Sequence, residues 1–227
     1  MSLGKALGNR AVMENTAGTK RQALDSSEIE HLRRLSMFPT PPWAARAGAE
    51  VIRDISPSIG LQACWECAAG AGHMVHGLKK YFRVVAASDV RDYGAGFHVL
   101  DFLCYPRSPR GDDRPDWVVT NPPFVHAQEF VERGLQIARV GVAMLCRLAL
   151  LESVGRFDLM SRLTVLAPFS ERVPIQLGSW DPDLSTATAY AWFVWLVDHR
   201  APTVVRMIPP GTKARLTRPS DAAFANR

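Results

Sequence analysis

Apolar and polar positions along the chain change period several times, and the changes predict alternating strands and helices. Short apolar runs at Gln62–Glu66, Val84–Asp89, Val99–Leu103, Trp117–Thr120, Val142–Leu148, Leu163–Leu166 and Ala189–Val197 read as strands, and Val204–Ile208 as an eighth. Helical spacing predicts helices over Trp43–Ile52, His73–Phe82 and Ala127–Ala138 and around Leu150–Leu159. A short helix is expected at Ser26–Leu35, where Ile29, Leu32 and Leu35 share a face. Consecutive prolines in Phe38-Pro39-Thr40-Pro41-Pro42-Trp43 forbid helix there and favour extended backbone before each ring. The βαβα order predicts an α/β fold, a mostly parallel sheet with helices on both faces. Right-handed crossovers then gather the C-terminal ends of the strands at one edge, where ligands of such sheets bind.

The flanks differ from this core. Residues 1–25 are polar and are expected to be disordered; residues 26–210 form one domain; residues 211–227, with prolines and charges, are expected to be a loose tail. The 227 residues, 47% of them hydrophobic and 22% charged, suit one globular domain. The most apolar region, Val140–Leu151, is interrupted by Arg147 and falls short of the roughly 20 apolar residues of a membrane helix. With no apolar segment near the N-terminus, no signal peptide is expected, and the reading is a cytoplasmic protein with no membrane partner.

The net charge of +5 points to a polyanionic partner. The clusters Arg33-Arg34, Lys79-Lys80 and Lys213–Arg218 read equally well as solvated surface. Four cysteines are too few for a disulfide framework. Cys64 and Cys67 form a CxxC without a second pair, so no metal site is expected.

Three groups of residues carry candidate chemistry, each at a predicted strand end. The first is Glu66-Cys67-Ala68-Ala69-Gly70-Ala71-Gly72-His73, an acid followed by a small-residue loop and a helix start. Small residues let backbone approach a ligand closely, and the helix start offers free N–H groups. The loop is not GxGxxG, which weighs against a dinucleotide, and alone it reads as a tight βα turn. The second is Asp89, 23 residues after Glu66 at the end of the next strand, suited to ribose hydroxyls. The third is Asn121-Pro122-Pro123-Phe124. Its prolines stiffen the turn, its carbonyls and amide oxygen can accept hydrogen bonds from an amino group, and its ring can stack on a base.

These groups together resemble the amino-methyltransferases that act on N6 of adenine in DNA, and among them the small phage and prophage enzymes. Asn121-Pro122-Pro123-Phe124 resembles their catalytic signature, and Glu66–His73 their S-adenosylmethionine (SAM) loop. The resemblance implies a Rossmann-like class I SAM-dependent methyltransferase fold, a seven-stranded, mostly parallel sheet with an antiparallel last strand. It implies SAM as cofactor, held by Thr40, Glu66, Cys67, Ala68, Gly70, Gly72, Asp89 and Asp101, with the Pro-rich segment at the methionine end and Asp101 at the adenine. Asn121, Pro122, Pro123 and Phe124 would act on the target. The motif order is similar to the γ arrangement. The aromatic run Tyr190–Trp195 fits the antiparallel strand and reads as core rather than as a stacking surface.

The implied reaction is direct methyl transfer to an amino nitrogen of nucleic acid, DNA ahead of RNA, with orientation supplying most of the acceleration. His126, beside the turn, reads as a flanking helix residue rather than a base. Larger members carry a recognition domain; here the only long insertion is Ala167–Thr188, so a homo-oligomer or a separate specificity partner is a further expectation. An RNA guanine-N2 methyltransferase is the nearest alternative, since it too can carry Asn-Pro-Pro-Phe. A protein glutamine methyltransferase would have Tyr in place of Phe124. A non-catalytic nucleic-acid-binding module and a nicotinamide-dependent oxidoreductase are the readings from other classes.

Overall fold

A computed structural model describes residues 37–105 and 114–225. The expected helix at Ser26–Leu35 and the N-terminal 25 residues lie outside the described residues. The strands are β1 (Ala63–Glu66), β2 (Val84–Asp89), β3 (His98–Val99), β4 (Trp117–Thr120), β5 (Gly141–Arg147), β6 (Val165–Pro168), β7 (Tyr190–Leu196) and β8 (Val204–Val205). The helices are α1 (Pro42–Ile55), α2 (His73–Leu78), α3 (Ala127–Ile137), α4 (Phe157–Ser161) and α5 (Thr212–Leu216).

The strands form one sheet in the order β3-β2-β1-β4-β5-β7-β6-β8. Strand order reverses beside β1, where β2 and β4 both pair in parallel. Strand β7 inserts antiparallel between β5 and β6. The loop after β6 returns on the same edge without a crossover helix, so the next strand must run back. The resemblance implies seven strands and the apolar pattern eight; the sheet has eight, because Val204–Val205 of the expected Val204–Ile208 strand pair in parallel with β6. The antiparallel strand is therefore the seventh and not the last.

The central strands read as unbroken apolar runs because both faces are covered. Their side chains alternate between two cores. Trp117, Val119, Ala143, Leu145, Trp192 and Val194 face α1 and α2. Val118, Val142, Met144, Cys146, Phe193 and Trp195 face α3. The aromatic run of β7 is core, and its indoles are satisfied: Trp192 Nε1 donates to the Ala44 carbonyl and Trp195 Nε1 to that of Leu159, each at 3.0 Å. Gly48 permits the first of these contacts. A Cβ there would stand 2.2 Å from the Trp192 ring, so α1 lies directly on the indole.

Among the predicted elements that shrink, two show the cause. The helix expected over Leu150–Leu159 breaks at Ser153, which is extended, and resumes only at Phe157. The strand expected over Val99–Leu103 ends at Val99, because the Asp101 carboxylate accepts from Leu103 N–H at 2.9 Å and starts a turn.

Residues 211–225, expected to be a loose tail, dock against α1 and α2. Asp221 and Arg46 form a buried bidentate pair at 2.6 and 2.7 Å, and Arg46 also donates to the Leu216 carbonyl. Further on, the Phe224 ring packs 4.6 Å from His76 and its carbonyl lies 2.9 Å from His73 Nε2.

Candidate functional site

The C-terminal ends of β1, β2 and β4 and the Pro-rich segment enclose a cleft of about 290 Å³. Thr40, Glu66, Cys67, Ala68, Gly70, Asp89, Asp101, Asn121 and Pro123 line it together, although they span 83 positions of sequence. Three expected site residues stand back from the cleft: Gly72, Pro122 and Phe124.

Gly72 acts from behind the loop. It is the residue before α2, with φ +91, and a Cβ would meet the Phe97 ring at 3.0 Å. Gly70 faces the cleft with φ +50, and a Cβ there would meet nothing within 4 Å. The first glycine fits packing and backbone geometry; the second leaves room for a ligand.

Two carboxylates organise the loop. The Glu66 side chain is buried and accepts from Ala68 N–H at 3.0 Å. Burial pushes its carboxyl up to about 8, against the pull of the Thr120 hydroxyl and the Ala68 N–H. Asp89 accepts from Gly70 N–H at 2.8 Å and from Arg91 N–H at 3.2 Å. Burial raises it above the ordinary carboxylate value despite those bonds. Asp101, on the outer rim, also accepts from the Cys104 thiol at 3.3 Å.

Three acids and no lysine or arginine line the cleft. That donor set disfavours a pyrophosphate and suits a ligand with hydroxyls and positive charge. SAM, with ribose hydroxyls, an ammonium and a sulfonium, fits it.

The turn after β4 adjoins this cleft. Asn121 Nδ2 donates to the Phe38 carbonyl at 2.9 Å. A carbonyl can only accept, so this bond fixes which end of the amide is oxygen. Asn121 Oδ1 is then buried with no hydrogen-bond partner. The Phe124 ring packs 5.0 Å from that of Phe38, and the Arg147 guanidinium lies over it at 4.2 Å.

Sequence reasoning missed several lining residues. Tyr93, in the loop after Asp89, lines the cleft, and burial raises its hydroxyl to about 12. Its aromatic character, four residues beyond the ribose candidate, was the available signal. Phe102, Phe130 and His73 also line the cleft. The role of Phe38 rests on its backbone carbonyl, which no side-chain pattern announces. His126 lines the cleft, with Nδ1 3.6 Å from a Glu129 carboxylate oxygen.

Cys64 and Cys67 belong to cores on opposite faces of the sheet, and burial pushes both thiols well above their ordinary value. Within Ala167–Thr188, Val173, Ile175 and Trp180 are buried, and Gly178 N–H donates to the Met37 carbonyl at 2.9 Å. Among the described residues, no helix is long and apolar enough to cross a membrane.

The fold is that of the class I SAM-dependent methyltransferases. It is similar to a type I restriction-modification methyltransferase subunit from Streptococcus thermophilus, with TM-score 0.56 and 10% identity over 84% of this chain and 54% of that one. A chain from Vibrio vulnificus, assigned as the modification subunit of a type I restriction enzyme, matches with TM-score 0.53 and 14% identity over 89% and 57%. A chain from Listeria monocytogenes assigned to the class I SAM-dependent methyltransferases matches with TM-score 0.52 and 15% identity over 82% and 68%. This chain thus spans little more than half the length of the two restriction-modification subunits. No protein-family model and no curated protein matches the sequence.

Proposed function

We propose that this protein is a SAM-dependent methyltransferase whose acceptor is an exocyclic amino group, N6 of adenine in nucleic acid, with DNA as the first candidate. The observation that carries the reading is Asn121 Oδ1, a buried acceptor left without a partner beside the cleft. A buried polar atom without a hydrogen bond costs about 1–3 kcal/mol, and among the described residues Asn121 alone has such a side-chain atom and lines the cleft. The N–H of an amino group is the complementary donor, and the Pro122 carbonyl would be the second acceptor; that of Pro123 already accepts from His126 N–H at 2.9 Å.

The cofactor supplies an electrophilic methyl on its sulfonium. Asp89 would accept its ribose hydroxyls, Asp101 its adenine amino group, and Glu66 with Thr40 the methionine end. Cys67, Ala68 and Gly70 would keep backbone close to it, with Gly72 supporting the loop. Asn121 and Pro122 would hold the target nitrogen in line with the methyl, Pro123 would stiffen the turn, and Phe124 would stack on the base. Orientation of this kind can supply several kcal/mol of the barrier. The base must leave a duplex or arrive single-stranded.

The test is radiolabelled SAM with DNA, RNA and protein acceptors, followed by nucleoside analysis. N6-methyladenine in DNA is the expected product. N2-methylguanine in RNA would move the acceptor to the alternative base. Label only in protein would overturn the nucleic-acid reading.

A further inference from the structure

Arg147 ends β5, opposite Tyr190 in the β5–β7 register. Its side chain is exposed, and its charge stands beside the Tyr190 hydroxyl. Its guanidinium lies 4.2 Å from the centre of the Phe124 ring. Among the described residues, no carboxylate lies within ion-pair distance of it. Other arginines have a carboxylate or carbonyl partner: Arg139 pairs with Asp116, Arg156 donates to the carbonyls of Leu150 and Glu152, and Arg172 donates to that of Ala187.

A planar cation on an aromatic face at an exposed site is only weakly stabilised. That is a weak hold, and it covers the ring on which a base would stack. An arginine without an internal counter-ion, at the rim of the target site, is suited to an anion approaching from outside. Guanidinium groups match phosphate oxygens in bidentate geometry.

We propose that Arg147 contacts the backbone phosphate beside the target nucleotide, leaving the Phe124 ring when the base arrives. In the free protein it occupies the stacking face and keeps the ring from water. When a strand enters, the phosphate takes the guanidinium and the base takes the ring. Arg147 is thus a target-binding residue that exchanges an aromatic ring for a phosphate. This inference rests on the nucleic-acid reading above, since it requires a phosphodiester beside the acceptor.

The test is fluorescence anisotropy of a labelled, adenine-containing single-stranded oligonucleotide, titrated with SAM-loaded protein at several salt concentrations. Arg147→Met keeps a chain over the ring without charge; Arg147→Lys keeps charge without the planar fork. The salt dependence of binding changes by about 0.7 in log–log slope for each phosphate contact on a single strand. Arg147→Met is expected to weaken binding and to flatten the slope by about that amount, while Arg147→Lys keeps the wild-type slope. SAM affinity, measured by calorimetry, should be the same in all three proteins. A wild-type slope in Arg147→Met, with binding otherwise intact, overturns the phosphate contact alone. Wild-type protein that neither binds nor methylates the oligonucleotide overturns the nucleic-acid reading itself, and a peptide acceptor labelled under the same conditions would replace it.

Discussion

Asn121 Nδ2 and the Phe38 carbonyl lie 2.9 Å apart, joining the turn after β4 to the Pro-rich segment that precedes α1. The bond orients the amide so that its oxygen is the atom left for a ligand. It also brings Thr40 and the Asn-Pro-Pro-Phe turn to the same cleft. Removing Asn121 should therefore affect chemistry more than cofactor binding. Asn121→Ala is expected to lower single-turnover methyl transfer by about 100-fold or more, the scale of a lost positioning contact. SAM affinity should stay near wild type by calorimetry. Full activity in this variant would leave the turn a structural feature only.

Asp89 makes a different prediction. Its carboxylate already holds Gly70 N–H and Arg91 N–H, so it is oriented before any ligand arrives. Asp89→Ala removes a charged acceptor and should weaken SAM binding by about 1.5–3 kcal/mol. Calorimetry reads this directly, with NAD as a comparison ligand. The acids lining the cleft should make NAD the weaker ligand, and tighter NAD binding would sink the SAM assignment.

Glu66 predicts a pH dependence. Its carboxyl titrates near 8 in the fold, against an ordinary value of 4.5. Between those values the folded state keeps a proton that the unfolded chain releases. The stability contribution of this group is full below about pH 4.5 and is lost as the pH rises through about 8. Asp89, also raised by burial, acts in the same direction. A positive charge in the cleft favours the carboxylate, so SAM binding should release a proton within this window and tighten as the pH rises. Calorimetry in buffers of different protonation heat should detect that proton in the wild type and not in Glu66→Gln. Equal proton release in both would assign it to another group.

The Arg46–Asp221 pair predicts how the C-terminal segment contributes to stability. Both side chains are buried, at 1% and 2% exposure, so neither charge can turn to water when its partner is lost. Asp221→Ala should cost about 3–5 kcal/mol in denaturant unfolding, the usual cost of an orphaned buried charge. Replacing both with apolar residues, as in Arg46→Met with Asp221→Leu, should cost much less. Similar losses for the single and double variants would mean that packing, not charge, holds the segment.

Much of the site was legible because short motifs carry their own local geometry. The acid, the small-residue loop and the helix start at Glu66–His73 follow from strand-to-helix backbone constraints. Asp89 and Asn121 sit at strand ends, which the apolar runs before them mark. The helix expected at 150–159 breaks because apolar residues at helical spacing do not report the extended Ser153. The C-terminal segment reads as loose because its anchor, Asp221, is a charged residue, and a charged, proline-containing stretch ordinarily signals solvent. Only a partner 175 residues away makes it a buried one.

By itself the sequence determined the α/β class, the strand ends that carry the candidate residues, and the acids and Asn-Pro-Pro-Phe turn placed there. Those features depend on neighbours within a few residues, where periodicity and turn chemistry act. Only the tertiary structure decided that β7 runs antiparallel between β5 and β6, that Phe38 orients Asn121, that Arg147 covers Phe124 and that Asp221 pairs with Arg46. Each of these joins residues distant in the chain. Their pairing follows from how the sheet stacks against its helices, because burial and hydrogen-bond satisfaction are settled by the whole packed arrangement and not by any one segment.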